Sequence, residues 1–491
     1  MVVVGGVFAA SCRSGQSLTN AGIDKAPTPV TASTTPGQTT VPPTTLPRKL
    51  ESLPPCDVAA LDTAAATAPV EITFWHGLSN ELGRELERLT GVYNASQNKV
   101  KVTLQFQGGY EETIDKYLQS NTDSRPDMVQ MPEYMVQQMI DTKSIVPTQA
   151  CAESAKYDTS AFLPQALGAY ATEGVQWSMP FNMSVPVLYY LKPRFTAAGL
   201  DPEVSPRSLE ELLATSKQLV SSGASAYSLA LDSDFDGGGG WYIEQWLAKS
   251  GEFYADNENG RSAPATHVLY DGAGGVKLLT ALQSMVTEGG AVYVGDNASG
   301  QDTFLKLADA TKPAAMTIGT SAALGPVLAI VRGGIIPGVL ESEVGVGPMP
   351  GPNDGKGALV GGASLYIVDG KGGAKAAASW DYMTFLESAS SQSQWAAATG
   401  YIPVRNDALT LDPIKSLYVT DPRFKVAYDQ LTSSLPGPTS QGPVIGPHKA
   451  VRRVTALAVA EVLSGGDVQT ALTKAAQAAN DLITNYNAQN K

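Results

Sequence analysis

The 491-residue chain is poor in the side chains that most metal and redox chemistry uses. It has three histidines and three cysteines. A multi-metal enzyme or a zinc-ribbon protein needs more ligands of these kinds. Basic residues are in deficit, 34 against 47 acidic, for a net charge of −13. That argues against nucleic acid as a partner, since nonspecific binding of it relies on a broad basic surface. No apolar run approaches the ~18 residues of a membrane-spanning helix. No G-x-S-x-G, H-E-x-x-H or Cys/His ligand spacing occurs, so neither a serine hydrolase nor a metallohydrolase is indicated by motif. What is present suffices for large cores: 43% of residues are hydrophobic, and ~150 residues per domain gives two or three domains.

The first twelve residues read MVVVGGVFAASC. A short apolar stretch and the small residues Ala9, Ala10 and Ser11 lead into Cys12. This resembles a lipobox, in which the cysteine is lipidated and becomes the mature N-terminus. It departs from that pattern in three ways: no Lys or Arg precedes the stretch, the stretch is short, and Ala9 stands where Leu is usual. A start codon placed too far downstream accounts for the first two. Residues 13–69 form a tether whose Thr/Pro-rich part, 26–48, cannot bury a core and stays extended. The remaining Cys56 and Cys151 are an even pair, which in an exported chain suggests a disulfide fastening the tether to the first lobe; the alternative is two free thiols.

Order begins near Val70. Residues 70–75 carry a strand signal, Leu82, Leu86, Leu89 and Tyr93 recur at helical spacing, and residues 99–107 alternate Val100, Val102, Leu104, Phe106. A second helical stretch (111–120) and a strand (126–131) continue a parallel, doubly wound pattern. Ligands of such sheets sit outside the carboxyl ends of the strands. There the sequence places Trp75-His76-Gly77, Gly108-Gly109-Tyr110 and Pro132-Glu133-Tyr134. Further on, helices are expected at 208–220, 243–249 and 273–287, strands at 315–319, 344–350 and 361–368, and helices at 450–463 and 468–487. Asp232, Asp234, Asp236 and Gly237 copy the first half of a calcium loop. The twelfth position, which must be a bidentate Glu, is Ile243, so no metal site is assigned.

Six motifs in order now carry a resemblance: Phe74-Trp75-His76-Gly77, Gly109-Tyr110-Glu111, residues 180–190 (PFNMSVPVLYY), Ala198-Gly199-Leu200-Asp201-Pro202, Gly361-Gly362-Ala363-Ser364-Leu365, and Thr399-Gly400-Tyr401-Ile402-Pro403. Together they resemble the family-1 extracellular solute-binding proteins of ABC importers, and within them the binders of glycerol-3-phosphate and glycerophosphodiesters. The resemblance implies an α/β fold of the type II periplasmic-binding-protein kind: two discontinuous lobes, hinge strands and a central ligand cleft. By analogy lobe one is 70–182 plus 311–364 and lobe two 183–310 plus 365–491. It implies that Tyr110 and Glu133 hold glycerol hydroxyls, that Ser184 donates from the crossover, and that the Gly361 backbone approaches the phosphate, with Tyr401 and Arg452 as its side-chain partners. Thr320 or Ser321 supplies a hydroxyl. Trp241, with Trp246 as alternative, is the aromatic of lobe two, and the glycines 237–240 beside it leave room for a choline-like head group. It further implies no catalysis and no cofactor. The chain would be a monomer anchored by lipid on the outer face of the membrane or held in the periplasm, and it would deliver its ligand to permease subunits. The competing readings are a neutral-sugar binder of the same fold and a secreted hydrolase, whose paired carboxylates sequence spacing alone does not reveal.

Overall fold

The computed structural model describes residues 52–297, 300–336, 338–435 and 437–490. Cys12 and the segment around it lie outside the described residues. Two sheets organise the chain. The first takes its strands in the order Val100–Phe106, Val70–His76, Met128–Pro132, Gly361–Val368, Ile145–Val146, with Met179–Ser184 also paired to Gly361–Val368. The first three run parallel, as the β-α-β pattern predicts, with Val70 opposite Val100 and Phe74 opposite Met128. Ile72, Phe74 and Val102 are buried, but Phe106 is 52% exposed, so the alternation ends before the strand does.

The three parallel strands bring their carboxyl ends to one edge. Gly361–Val368 runs antiparallel to its neighbours, with Ala363 opposite Pro132 and Gly361 opposite Ser184. Its amino end and the carboxyl end of Met179–Ser184 therefore reach that same edge. Pairing direction alone gathers Tyr110, Glu133, Ser184 and Gly361.

The chain crosses between sheets through Val185. The second sheet has the order Val292–Tyr293, Tyr227–Leu231, Ala314–Thr320, Pro186–Leu191, Val344–Pro348. The antiparallel register sets Thr320 opposite Pro186 and Pro348 opposite Val187. The edge of this sheet that adjoins the crossover thus carries Thr320 and Ser321, and the Ser321 N–H donates to the Val185 carbonyl at 2.8 Å.

This topology corrects the expected lobe boundaries. Strands Ala314–Thr320 and Val344–Pro348, expected in lobe one, belong to the second sheet, because both pair directly with Pro186–Leu191. Helices Gly373–Leu386 and Ala389–Thr399, expected in lobe two, pack on the first: Tyr382 lies edge-on to Phe74, and Trp395 stacks on Phe181 at 4.8 Å. The C-terminal helices His448–Leu463 and Val468–Gln489 stay with lobe two, their Val451, Val459, Leu472 and Ala479 sharing a core with Leu188 and Tyr190 of the second sheet. Cys56 and Cys151 are joined in a disulfide that ties the start of the described chain to helix Thr148–Ala155. Among the described residues no helix is long and apolar enough to cross a membrane.

Candidate functional site

Tyr110 opens the helix Tyr110–Gln119 after two glycines, and Gly109 accepts the Thr113 amide that starts its first turn. A relay of amides fixes the Tyr110 ring. The Gly77 N–H donates to Gln130 Oε1 at 3.0 Å, Gln130 Nε2 to Asn182 Oδ1 at 2.7 Å, and Asn182 Nδ2 to the Tyr110 hydroxyl at 2.8 Å. Each amide uses both ends, so the direction of every bond is set. Tyr401 joins this group because the Ile402 N–H donates to the Met183 carbonyl, which lays Tyr401 along the same strand. Its ring stacks on Trp395 at 5.8 Å. Burial pushes the Tyr110 and Tyr401 hydroxyls upward, with the charges of Glu133 and, for Tyr401, Asp236 adding to it. Both phenols stay neutral donors.

The other half comes from lobe two. In the loop Gly237 to Gly240 the last three positions admit only glycine. A Cβ on Gly238 would stand 2.3 Å from the Asp232 carbonyl, and one on Gly240 2.0 Å from the Phe235 carbonyl. Asp232 Oδ1 accepts the amides of Asp234 and Gly238, at 3.0 and 2.9 Å. The first aspartate of the calcium-like run is thereby a loop staple, and no cluster of three or more metal-ligating side chains occurs among the described residues. The loop leads into helix Trp241–Lys249 and sets Trp241 against Gly361: a Cβ there would lie 2.2 Å from Trp241 Cζ2. Trp241 is 5% exposed and its Nε1–H has no acceptor. The alternative, Trp246, is committed, its Nε1–H donating to the Pro350 carbonyl at 2.8 Å.

Arg452 is 1% exposed, and its neighbour Arg453 53%. Its guanidinium faces three carboxylates. Glu244 takes it bidentately, from Nε at 2.7 Å and Nη2 at 2.8 Å. Nη2 also donates to Glu133 Oε1 of lobe one at 2.9 Å, and Nη1 to Asp236 Oδ1 at 3.0 Å. The Tyr134 ring lies 5.0 Å beneath. His448, one helical turn before Arg452, shares Glu244 Oε1 at 2.8 Å. Burial alone would raise the Glu244 carboxyl, but Arg452 and His448 outweigh it and hold it at about 2. Glu133 is pushed up, first by burial, with Glu244 adding to it. Arg452, despite the cost of burial, is held well above its ordinary value by these acids.

The structure thus brings Glu133 and Arg452 into direct contact and gathers Tyr110 with Tyr401 and Gly361 with Trp241. Ser184 is buried beside Gly361. Thr320 Oγ1 accepts the Ala322 amide at 3.4 Å and Ser321 Oγ the Val185 amide at 3.3 Å. Both hydroxyls keep their proton to donate. Sequence reasoning missed Glu244, Asp236 and His448 as partners of Arg452, and Asn182 and Gln130 as the support of Tyr110. One signal was available: His448 and Arg452 stand four apart on a helix, so they face one neighbour.

Comparison with known proteins identifies the family and the fold. Residues 92–425 match the family model described as bacterial extracellular solute-binding protein. The sn-glycerol-3-phosphate-binding periplasmic protein UgpB of Pectobacterium atrosepticum is 29% identical over 442 residues, covering 88% of this chain and 95% of that one. The same-named protein of Yersinia pseudotuberculosis is 28% identical over 440. Among solved structures, UgpB from Mycobacterium tuberculosis in complex with glycerophosphocholine aligns with a TM-score of 0.69 at 20% identity, covering 84% of this chain and 98% of that one. The GacH receptor of Streptomyces glaucescens, solved with acarbose, aligns at 0.68 and 20%, covering 85% and 99%. These likenesses establish the two-lobe fold of periplasmic sugar-binding proteins. With the family model spanning residues 92–425, the chain belongs to the bacterial extracellular solute-binding proteins.

Proposed function

We propose that the chain captures a glycerophosphodiester or sn-glycerol-3-phosphate between its lobes and hands it to the permease of an ABC importer. The observation that carries this is Arg452: a fully buried guanidinium in the cleft, oriented by Glu244, whose Nη1 and Nη2 face exchangeable carboxylates. A planar guanidinium matches phosphate oxygens bidentately. The Gly361 backbone, with the hydroxyls of Tyr401, Thr320 and Ser321 and of Ser184, supplies neutral donors to the phosphate. Tyr110 and Glu133 suit the glycerol hydroxyls, a carboxylate accepting from two at once. The names of relatives from two genera agree with this chemistry. A neutral-sugar ligand is the second reading, supported by the excess of acids around Arg452 and by the likeness to the GacH receptor. We further propose that Cys12 carries a lipid anchor and that the protein acts as a monomer on the outer face of the membrane or in the periplasm; radiolabelled fatty acid failing to enter the chain, or entering a Cys12→Ala variant equally, would refute the anchor.

The test is calorimetric titration of the full chain with sn-glycerol-3-phosphate, glycerophosphocholine and maltose. Binding of either phosphorylated compound supports the reading. Binding of maltose alone overturns it and makes Arg452 a structural residue.

A further inference from the structure

Around Arg452 one cation meets three carboxylates. The three are not equivalent. Glu244 is buried, bidentate and shared with His448, so it is a fixed counter-ion. Glu133 comes from the other lobe, and separation of the lobes withdraws it. Asp236 belongs to the same lobe as Arg452, on the loop stapled by Asp232, and it travels with the guanidinium. Its side chain is 40% exposed, the most open of the three. A phosphate approaching Nη1 therefore always meets Asp236. If the phosphate takes that N–H, Asp236 loses its counter-ion and stands beside a like charge.

Only a ligand that brings its own cation restores the balance. The surroundings of Asp236 suit one. Phe235 precedes it and lies edge-on to Tyr134 at 6.2 Å. The Phe235 face already holds a cation, the Arg453 guanidinium at 5.2 Å, and the Tyr134 face holds Arg452. Aromatic faces and a carboxylate together form the chemistry that receives an ammonium group.

We propose that Asp236 is the specificity-determining residue of the cleft: it pairs with the cationic head group of a zwitterionic phosphodiester and disfavours the dianionic phosphate monoester. This rests on the phosphate-binding reading above and adds a choice between its two ligand classes. A monoester brings two negative charges into a net-acidic cluster. A zwitterionic diester brings none in sum, and its ammonium takes the place that Arg452 Nη1 gave up.

The experiment is calorimetry on the full chain and on Asp236→Asn, with glycerophosphocholine, sn-glycerol-3-phosphate and a glycerophosphodiester whose head group is uncharged. In the wild type glycerophosphocholine binds tighter than the monoester. In Asp236→Asn the ratio of the two affinities shifts toward the monoester by about tenfold, the scale of one close, partly screened charge pair. The uncharged-head diester does not lose affinity, because it never used the carboxylate. A ratio unchanged within threefold, or an equal loss for both diesters, overturns the proposal while leaving phosphate binding intact. A wild type that binds maltose but no phosphorylated compound overturns the underlying reading as well. Should Asp236→Asn melt well below the wild type, Asp236→Ser, which also removes the charge, is put through the same ratio, with the same outcomes deciding.

Discussion

Two arginines in this molecule, Arg452 buried and Arg261 half-buried, are satisfied in opposite ways. Arg452 faces side-chain carboxylates. Arg261 spends all five N–H groups on backbone carbonyls: Gly442 from Nε at 2.7 Å, Gly168 and Ala171 from Nη1 at 3.0 and 2.8 Å, Ala169 and Gln441 from Nη2 at 3.3 and 2.5 Å. No carboxylate stands in the set, and burial lowers its pKa to about 9, whereas the acids around Arg452 hold that group well above its ordinary value. Carbonyls fixed in a chain cannot leave, so Arg261 is a clasp between the segment around residues 168–171 and that around 441–442. Carboxylates on separate elements can leave, so Arg452 has bonds to exchange. Burial alone does not separate the two; the kind of partner does.

The contrast breaks first at the clasp. Arg261→Ala should lower unfolding free energy in a urea titration by about 1–3 kcal/mol, the usual result when hydrogen-bond acceptors are left unpaired. Saturating ligand should not abolish the difference between variant and wild type. A loss below about 1 kcal/mol would mean that water reaches the carbonyls and that the clasp is ornamental.

Arg452→Ala should cost about 2–5 kcal/mol in affinity for the phosphorylated ligands. Its effect on stability should depend on pH. Glu244 has a folded pKa of about 2, below its ordinary 4.5. The stability this supplies is present above pH 4.5 and is lost as pH falls through 2. The gap between wild type and variant should therefore be widest at neutral pH and narrow in acid; a gap constant from pH 7 to 3 would show that Glu244 does not depend on Arg452.

Glu133→Gln keeps the shape and removes the charge that joins the lobes. Affinity should fall by about 1–2 kcal/mol, as for loss of a hydrogen bond to a charged group, with the melting temperature unchanged; unaltered affinity would place the hydroxyl subsite elsewhere.

Asp232 sharpens the comparison from the acid side, since it too is held by backbone, and burial raises its carboxyl to about 7. A folded pKa above the unfolded one means that its contribution is present in acid and is lost as pH rises toward 7. Asp232→Asn keeps the Oδ1 acceptor for both amides. It should be more stable than the wild type at pH 8 by about 1 kcal/mol and no more stable at pH 4. Equal stability at both would refute the burial argument.

How much of this was legible beforehand follows from the same distinction. The parallel first sheet was readable because alternation and helical spacing report which face is buried, and the three strand-end loops followed from it. The lobe assignment of residues 311–399 was not, since a strand's hydrophobicity says that it is buried but not in which sheet. Trp241, Glu133 and Arg452 were reached by family pattern, without their partners. Glu244 was not singled out because its partners His448 and Arg452 lie more than 200 positions away. Arg261 carried no signal at all: its partners are carbonyls, which every residue owns.

The disulfide between Cys56 and Cys151 has a mechanical meaning. Any tension applied to the chain ahead of residue 56 passes through a covalent bond into helix Thr148–Ala155. It bypasses the strand Val70–His76, whose sheet pairing would otherwise be the first link to be peeled. Residues 57–150 form a loop that carries no load. A pulled molecule should therefore hold the three parallel strands of its first sheet until the crosslink is reduced.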